Sequence, residues 1–149
     1  MNVHELYMQH ALTEARKAFD EEEVPVGAVI VHNGEIIGRA HNQIKTLKDP
    51  TAHAEMIAIT QAASYLANER LNDCAIYVTI EPCAMCAGAC ILARIKSIFS
   101  GTPDPKTGAC GSAINLVEQG RFNHTVEVTG GILGAECRTI IQEFFLAKR

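Results

Sequence analysis

Two short stretches carry residue types able to do chemistry together: His53-Ala54-Glu55 and Pro82-Cys83-Ala84-Met85-Cys86. Each falls where a helix is predicted to begin. One neutral imidazole and two thiolates are good ligands for Zn²⁺, and a C-x2-C spacing at a helix start lets both sulfurs reach one ion. The partial positive charge of a helix N-terminus also favours thiolate over thiol. Three protein ligands leave the fourth tetrahedral position to water, the layout of a catalytic zinc rather than a structural one. Glu55, two residues beyond His53, can lie beside that water without binding the metal. Zn²⁺ makes such a water acidic near neutral pH, and Glu55 is the group expected to take its proton and return it to a substrate.

Each fragment alone has a blander reading. A lone His-x-Glu is ordinarily a surface or core pair, and a lone Pro-Cys-x-x-Cys can be a redox dithiol. A structural site with three cysteines and His53 is the more serious rival, because Cys90 is available on the same helix. Cys90 lies about 10 Å along the axis from Cys83 at 1.5 Å per residue, whereas Zn–S bonds are about 2.3 Å. Cys90 is therefore expected to pack inside, as free cysteine often does. Cys74, Cys110 and Cys137 have no partner spacing and are expected to pack likewise. Together the two fragments point to one catalytic zinc per chain.

These residues need a scaffold, and the pattern supplies one. Residues 3–19 keep a helical period, and Pro25 ends the element. Residues 26–31 read as an apolar strand, Asn33-Gly34 as a hairpin turn, and residues 35–40 as the returning strand. A helix is predicted over 53–67 and a buried strand over 75–80. A helix with Pro82 in its first turn is predicted to run to about Arg94. A strand at 96–100, a turn-rich stretch at 101–111, a last strand at 126–129 and an amphipathic helix at 134–147 complete the chain. Helices alternating with short strands imply an α/β fold, a mixed sheet covered by helices.

The length, 149 residues, suits a single domain over residues 1–149. No apolar run approaches the ~20 residues needed to span a bilayer, and the amino terminus lacks a signal peptide's apolar block. A cytoplasmic protein without membrane association is expected, and its six cysteines are then reduced thiols, ligands or catalytic groups. The net charge of −4 speaks against nucleic acid at face value, but residues 1–74 carry −5 and residues 75–149 carry +1. Much of the acidity is the run Asp20-Glu21-Glu22-Glu23, read as a solvated helix end.

At these residues the chain resembles the cytidine deaminase superfamily, whose zinc nucleobase deaminases share the H-x-E and P-C-x-x-C signature. More narrowly, it resembles the bacterial tRNA adenosine deaminase family. The blocks that carry the likeness include Val24-Pro25-Val26-Gly27-Ala28-Val29, Ala40-His41-Asn42, Pro50-Thr51-Ala52-His53-Ala54-Glu55 and Thr79-Ile80-Glu81-Pro82-Cys83. Asn123-His124 matches as well, and the 101–112 loop with Asp104-Pro105-Lys106-Thr107-Gly108 and the Phe144-Phe145 pair narrow it. The resemblance implies a three-layer α/β/α fold with a five-stranded mixed sheet, a homodimer and no organic cofactor. It implies hydrolytic deamination of adenosine to inosine at the anticodon wobble position, with an anticodon stem-loop as partner. By position, His53, Cys83 and Cys86 hold zinc and Glu55 moves protons. Asn42 bonds the flipped base, and Val26 and Ala54 form pocket walls. Asp104, Lys106, His124 and Phe144 lie around the RNA loop, with a local positive patch near Lys106. Two positions depart from the family: Glu69 stands where Trp is usual, and Pro103 precedes Asp104. A guanine or cytosine deaminase of the same superfamily shares every zinc residue, and a non-enzymatic zinc module is the reading from another class.

Overall fold

The computed structural model of the protein describes residues 1–118 and 120–148. Its strands are β1 (Gly27–His32), β2 (Glu35–His41), β3 (Cys74–Ile80), β4 (Ser97–Thr102) and β5 (Glu127–Thr129). Its helices are α1 (Val3–Asp20), α2 (Ile44–Leu47), α3 (Ala54–Leu66), α4 (Ala84–Leu92) and α5 (Gly134–Ala147). An apolar run such as β1 is stable only with both faces covered, and the fold covers both. Ala28 and Ile30 of β1, Ile76 and Val78 of β3 and Ile98 of β4 share one core with Ala58 of α3 and Ala87 of α4. The alternate residues Val29, Val31 and Tyr77 share a second core with Met8 of α1 and Cys137 of α5. The result is the three-layer α/β/α arrangement, with one five-stranded sheet of order β2-β1-β3-β4-β5.

Asn33 (φ 51°) and Gly34 (φ 78°) both take the left-handed backbone that a two-residue hairpin turn needs, so β2 returns antiparallel beside β1. β1 also pairs antiparallel with β3, whereas β3–β4 and β4–β5 are parallel, making the sheet mixed. Register then decides where the loops gather. Gly27 faces His41, Ala28 faces Val78, and Ile80 faces Thr102. The start of β1 and the ends of β2, β3 and β4 therefore lie along one edge of the sheet. Both chemically competent fragments leave the sheet from that edge. At Gly27 the first layer comes very close: a Cβ there would lie 1.9 Å from the Ala11 carbonyl oxygen of α1. Among the described residues no helix is long and apolar enough to cross a membrane.

The elements differ from expectation in three places. Pro82 precedes the helix rather than opening it: Cys83 is the N-cap of α4, and the helix ends at Leu92, two residues early. Arg94, with φ 63°, turns the chain away there. The short helix α2 has no counterpart in the sequence pattern. Its N-cap Gln43 makes no side-chain cap bond, and a distant residue does that work. Glu23, only 2% exposed, accepts bonds from the Lys45 N–H (3.1 Å), the Thr46 N–H (2.7 Å) and the Thr46 hydroxyl (2.8 Å). Asp20, Glu21 and Glu22 are exposed as expected of a solvated run, but Glu23 is not. Glu69, at the departure from the family pattern, is exposed, and the following Leu71 is fully buried.

Glu14 is a second buried acid, bonded to Lys17 Nζ at 2.8 Å and Arg39 Nε at 3.1 Å. Burial alone would raise both carboxyls. For Glu14 the bonds from Lys17, Arg39 and His41 outweigh it, and for Glu23 those from Thr46 and Lys45 do, so each is held below 4.5. A carboxyl whose folded pKa lies below its unfolded value stabilises the fold above the unfolded pKa, and that contribution is lost as pH falls through the folded one. Glu23→Gln is expected to lower the unfolding free energy by about 2 kcal/mol at pH 7, since hydrogen bonds to charged groups are worth roughly that. Urea titrations across pH check it: the deficit shrinks as the pH drops below the ordinary carboxyl value. An unchanged midpoint at pH 7 removes Glu23 from the account.

Candidate metal centre

His53 and Cys83 occupy the same local position, the N-caps of α3 and α4, and both have extended backbone. Neither side chain caps its own helix. An N-cap side chain leaves the helix end at an angle that reaches the side chain three residues on, which is why N-cap and N3 residues pair in capping boxes. Cys83 and Cys86 stand at those two positions, which explains physically why the motif has two intervening residues. Glu55 is the second residue of α3 and sits in the first turn.

Among the described residues, one group of three or more His, Cys, Asp or Glu side chains could share a metal ion: His53, Cys83 and Cys86, with donor atoms all within 4.8 Å of one another. His53 Nδ1 lies 3.6 Å from Cys83 Sγ and 3.5 Å from Cys86 Sγ. A tetrahedral zinc with Zn–S of about 2.3 Å and Zn–N of about 2.05 Å has an N···S edge of about 3.6 Å. A single ring N–H cannot donate well to two sulfurs, so convergence on a common point fits a cation better than it fits a hydrogen bond. The second observation is Glu55. It is 3% exposed, and its Oε1 is buried with no hydrogen-bond partner. The residues present therefore fit a zinc ion and leave one acceptor beside it unspent.

The charges agree. Hydrogen bonding from Cys86, then from His53, pulls Cys83 down to about 3, whereas the adjacent Cys83 and then burial push the Cys86 thiol up. Metal binding needs both sulfurs as thiolates and a neutral His53, so loading is accompanied by proton release. Burial raises the Glu55 carboxyl above the ordinary range, with the nearby His53 opposing it. Cys90 is fully buried and outside the donor group, and burial pushes its thiol up. Cys74, Cys110 and Cys137 are free thiols raised by burial to about 11, 12 and 12.

A cavity of about 130 Å³ opens over this point, lined by Val24, Val26, Asn42, His53, Glu55, Ile80, Glu81, Cys83, Asp104 and Thr107. A larger hollow of about 570 Å³ lies beyond Glu81, but the shared donor group is not part of it.

Over residues 2–149 the chain matches the family model described as MafB19-like deaminase. It is 48% identical over 145 residues to the tRNA-specific adenosine deaminase of Bacillus subtilis (strain 168), covering 97% of this chain and 90% of that one. The chain belongs to the tRNA-specific adenosine deaminase family. A solved structure of a tRNA:A34 deaminase, concerned with A-to-I editing at the wobble position of transfer RNA, has a TM-score of 0.88 and 42% identity over 91% of this chain and 98% of that one. A guanine deaminase from Bacillus subtilis is 41% identical over 69% of this chain and 66% of its own, with a TM-score of 0.65.

In this member of the family the residues expected at the substrate do not all lie in one place. Val26, Asn42 and Asp104 line the cavity over the donor group. Ala54 is fully buried, and its N–H donates to Asn42 Oδ1 at 2.8 Å, so it orients Asn42 instead of forming the wall itself. Asp104 is already engaged: Oδ1 accepts from the Lys106 and Thr107 N–H groups, both at 3.2 Å, and Oδ2 from the Thr107 hydroxyl at 2.6 Å. Lys106 is exposed beside the cavity but not part of its lining. His124 lies in a separate hollow with Leu92, Arg94 and Phe122, its Nε2 2.7 Å from the Ile95 carbonyl. Phe144 is 5% exposed and packs edge-on against Phe19 at 5.8 Å, so the ring free to stack is Phe145, 49% exposed. Adjacent helix positions cannot face the same way, and the packing of α5 against α1 selects the first.

His53→Ala is expected to bring the zinc content of the purified protein below one per chain, and Cys90→Ala to leave it at one. Metal analysis of both variants checks the assignment, and full occupancy without His53 contradicts it.

Proposed function

We propose that this chain hydrolyses the exocyclic amine of adenosine at the anticodon wobble position of tRNA, giving inosine and ammonia. The observation that carries the deamination chemistry is the unpartnered Glu55 Oε1, buried beside a point shared by three metal donors, and the likeness to tRNA-specific adenosine deaminases supports tRNA as the substrate. When zinc is bound by His53 Nδ1, Cys83 Sγ and Cys86 Sγ, it supplies a Lewis acid that brings the pKa of a water toward neutrality. Glu55 accepts a proton of the attacking water and delivers it to N1 of the base as oxygen bonds to C6. It then moves the remaining hydroxyl proton to the amine, so that the C6–N bond breaks, ammonia leaves and the C6 carbonyl of inosine remains. A carboxyl raised by burial is suited to hold a proton between those two events.

Asn42 orients the base. Its Oδ1 is taken by the Ala54 N–H, so Nδ2 is the atom left to donate to an acceptor on the ring. Val26 closes one side. At about 130 Å³ the cavity is well below the roughly 300–1,000 Å³ of ordinary ligand pockets, which suits entry of one flat base while its sugar and phosphates stay outside. That suits a nucleotide extruded from a single-stranded loop. Lys106 and the exposed Phe145 ring offer a cation and a stacking surface for flanking RNA, which a protein of net charge −4 can do locally. We propose further that the enzyme acts in the cytoplasm as one domain over residues 1–149, and that two copies associate through the face bearing Leu92 (83% exposed) and Phe122 (52% exposed). Association through that face brings each copy's His124 to the shared boundary.

Incubation with an arginine anticodon stem-loop, beside free guanine, cytosine and adenosine, is expected to yield inosine in the RNA alone. Turnover of a free base with none on the stem-loop contradicts the reading. Glu55→Ala is expected to keep its zinc and fold while losing about 10²–10⁴-fold or more in rate, the range contributed by general acid–base groups. Sedimentation of the same sample reports the dimer.

A further inference from the structure

Glu81 immediately precedes Pro82 and Cys83, and it is 6% exposed. Nothing in the chemistry above uses it. Its carboxylate is nevertheless the most heavily bonded in the described chain. Oε1 accepts from the Asp104 N–H at 3.1 Å and from the Ser112 hydroxyl. Oε2 accepts from the Cys110 N–H at 2.9 Å and the Ser112 N–H at 3.1 Å. All these donors belong to the stretch that follows β4. The contact is close enough to need a glycine, because a Cβ on Gly108 would lie 2.4 Å from the Glu81 carboxyl carbon. A further tie, the Ala109 N–H to the Pro82 carbonyl at 2.9 Å, fixes the same stretch to the next residue along.

The far side of that stretch bears on the substrate. Asp104 and Thr107 line the cavity over the donor group, and their mutual bonds form the turn that Gly108 closes through its N–H to the Asp104 carbonyl at 2.8 Å. Residues 104–112 contain no helix or strand of their own, apart from one isolated bridge between Cys110 and Asn115. A loop without a ladder holds its shape through whatever it is bonded to, and here the Glu81 carboxylate supplies four of those bonds, beside the Ala109–Pro82 tie.

We propose that Glu81 is a positioning residue that clamps the 104–112 loop to the segment bearing Cys83 and Cys86, holding the outer wall of the cavity at a set distance from the reacting point. Each oxygen serves two donors, so the carboxylate is spent on the loop and has no part in proton transfer. The clamp sets how well substrate is held rather than how fast it reacts. The inference rests on the proposed stem-loop substrate only for its kinetic arm.

Residue-resolved amide hydrogen exchange on the zinc-loaded full chain tests the clamp without any substrate. Glu81→Gln keeps the shape but turns one acceptor into a donor facing N–H groups. It is expected to speed exchange at Asp104, Cys110 and Ser112 at least tenfold, with amides of α3 and β3 unchanged and zinc still at one per chain. With the stem-loop, KM is expected to rise about tenfold while kcat changes less than threefold. Unaltered exchange at those three amides overturns the clamp, and so does a loss confined to kcat. If Glu81→Gln fails to fold or to keep zinc, Ser112→Ala carries the test: removing one donor should speed exchange at Asp104 and Cys110 several-fold, and no change there overturns the inference. A wild-type protein inactive on the stem-loop refutes the proposed substrate and leaves the exchange result standing on its own.

Discussion

Two helix N-termini must meet at one point. Most of this structure serves that requirement, because an N-cap side chain from α3 and one from α4 supply His53 and Cys83, and the first turns supply Glu55 and Cys86. The unpaired N–H groups of both first turns add positive potential where thiolates and an acidified water are to be held. Bringing two such ends together needs a sheet whose strands exit along one edge. The antiparallel pairing of β1 with both neighbours and the parallel pairing of β3 with β4 produce that edge.

The buried acids sort by what they face. Glu14, Glu23 and Glu81 each lie against N–H or cationic donors and are held below the ordinary carboxyl range. Glu55 is buried just as deeply, yet Oε1 has no donor and its carboxyl is raised. Leaving a polar atom inside without a partner costs kcal/mol-scale stability. Such an atom persists in a fold when something outside the chain completes it, and the proposed cation with its water and a heterocyclic base would do so here. The three satisfied acids brace the surroundings: Glu23 anchors α2 after Asn42, Glu14 joins α1 to β2, and Glu81 ties down the loop.

The chemistry was legible in the sequence because helix geometry makes it local. His53 with Glu55, and Cys83 with Cys86, need only first-turn spacings, which short motifs record. The hairpin at Asn33-Gly34 and the short apolar runs of β1 and β3 were legible for the same reason. Glu23 and Glu81 were not, since their partners lie about twenty to thirty residues away and an acid in a charged run looks solvated. The helix α2 was hidden too, because its cap comes from a distant residue rather than from Gln43. An acid directly beside a metal motif was the available signal for Glu81. Which of Phe144 and Phe145 turns inward depended on the packing of α5, which adjacency alone does not decide.

Zinc K-edge X-ray absorption on the purified full-length chain tests the central claim most directly, since it counts what surrounds the metal. An open site made by His53, Cys83 and Cys86 predicts two sulfurs at about 2.3 Å and two lighter atoms at about 2.0 Å, one from the imidazole and one from water. A shell with three or four sulfurs would recruit another cysteine, close the position needed for water and contradict the account.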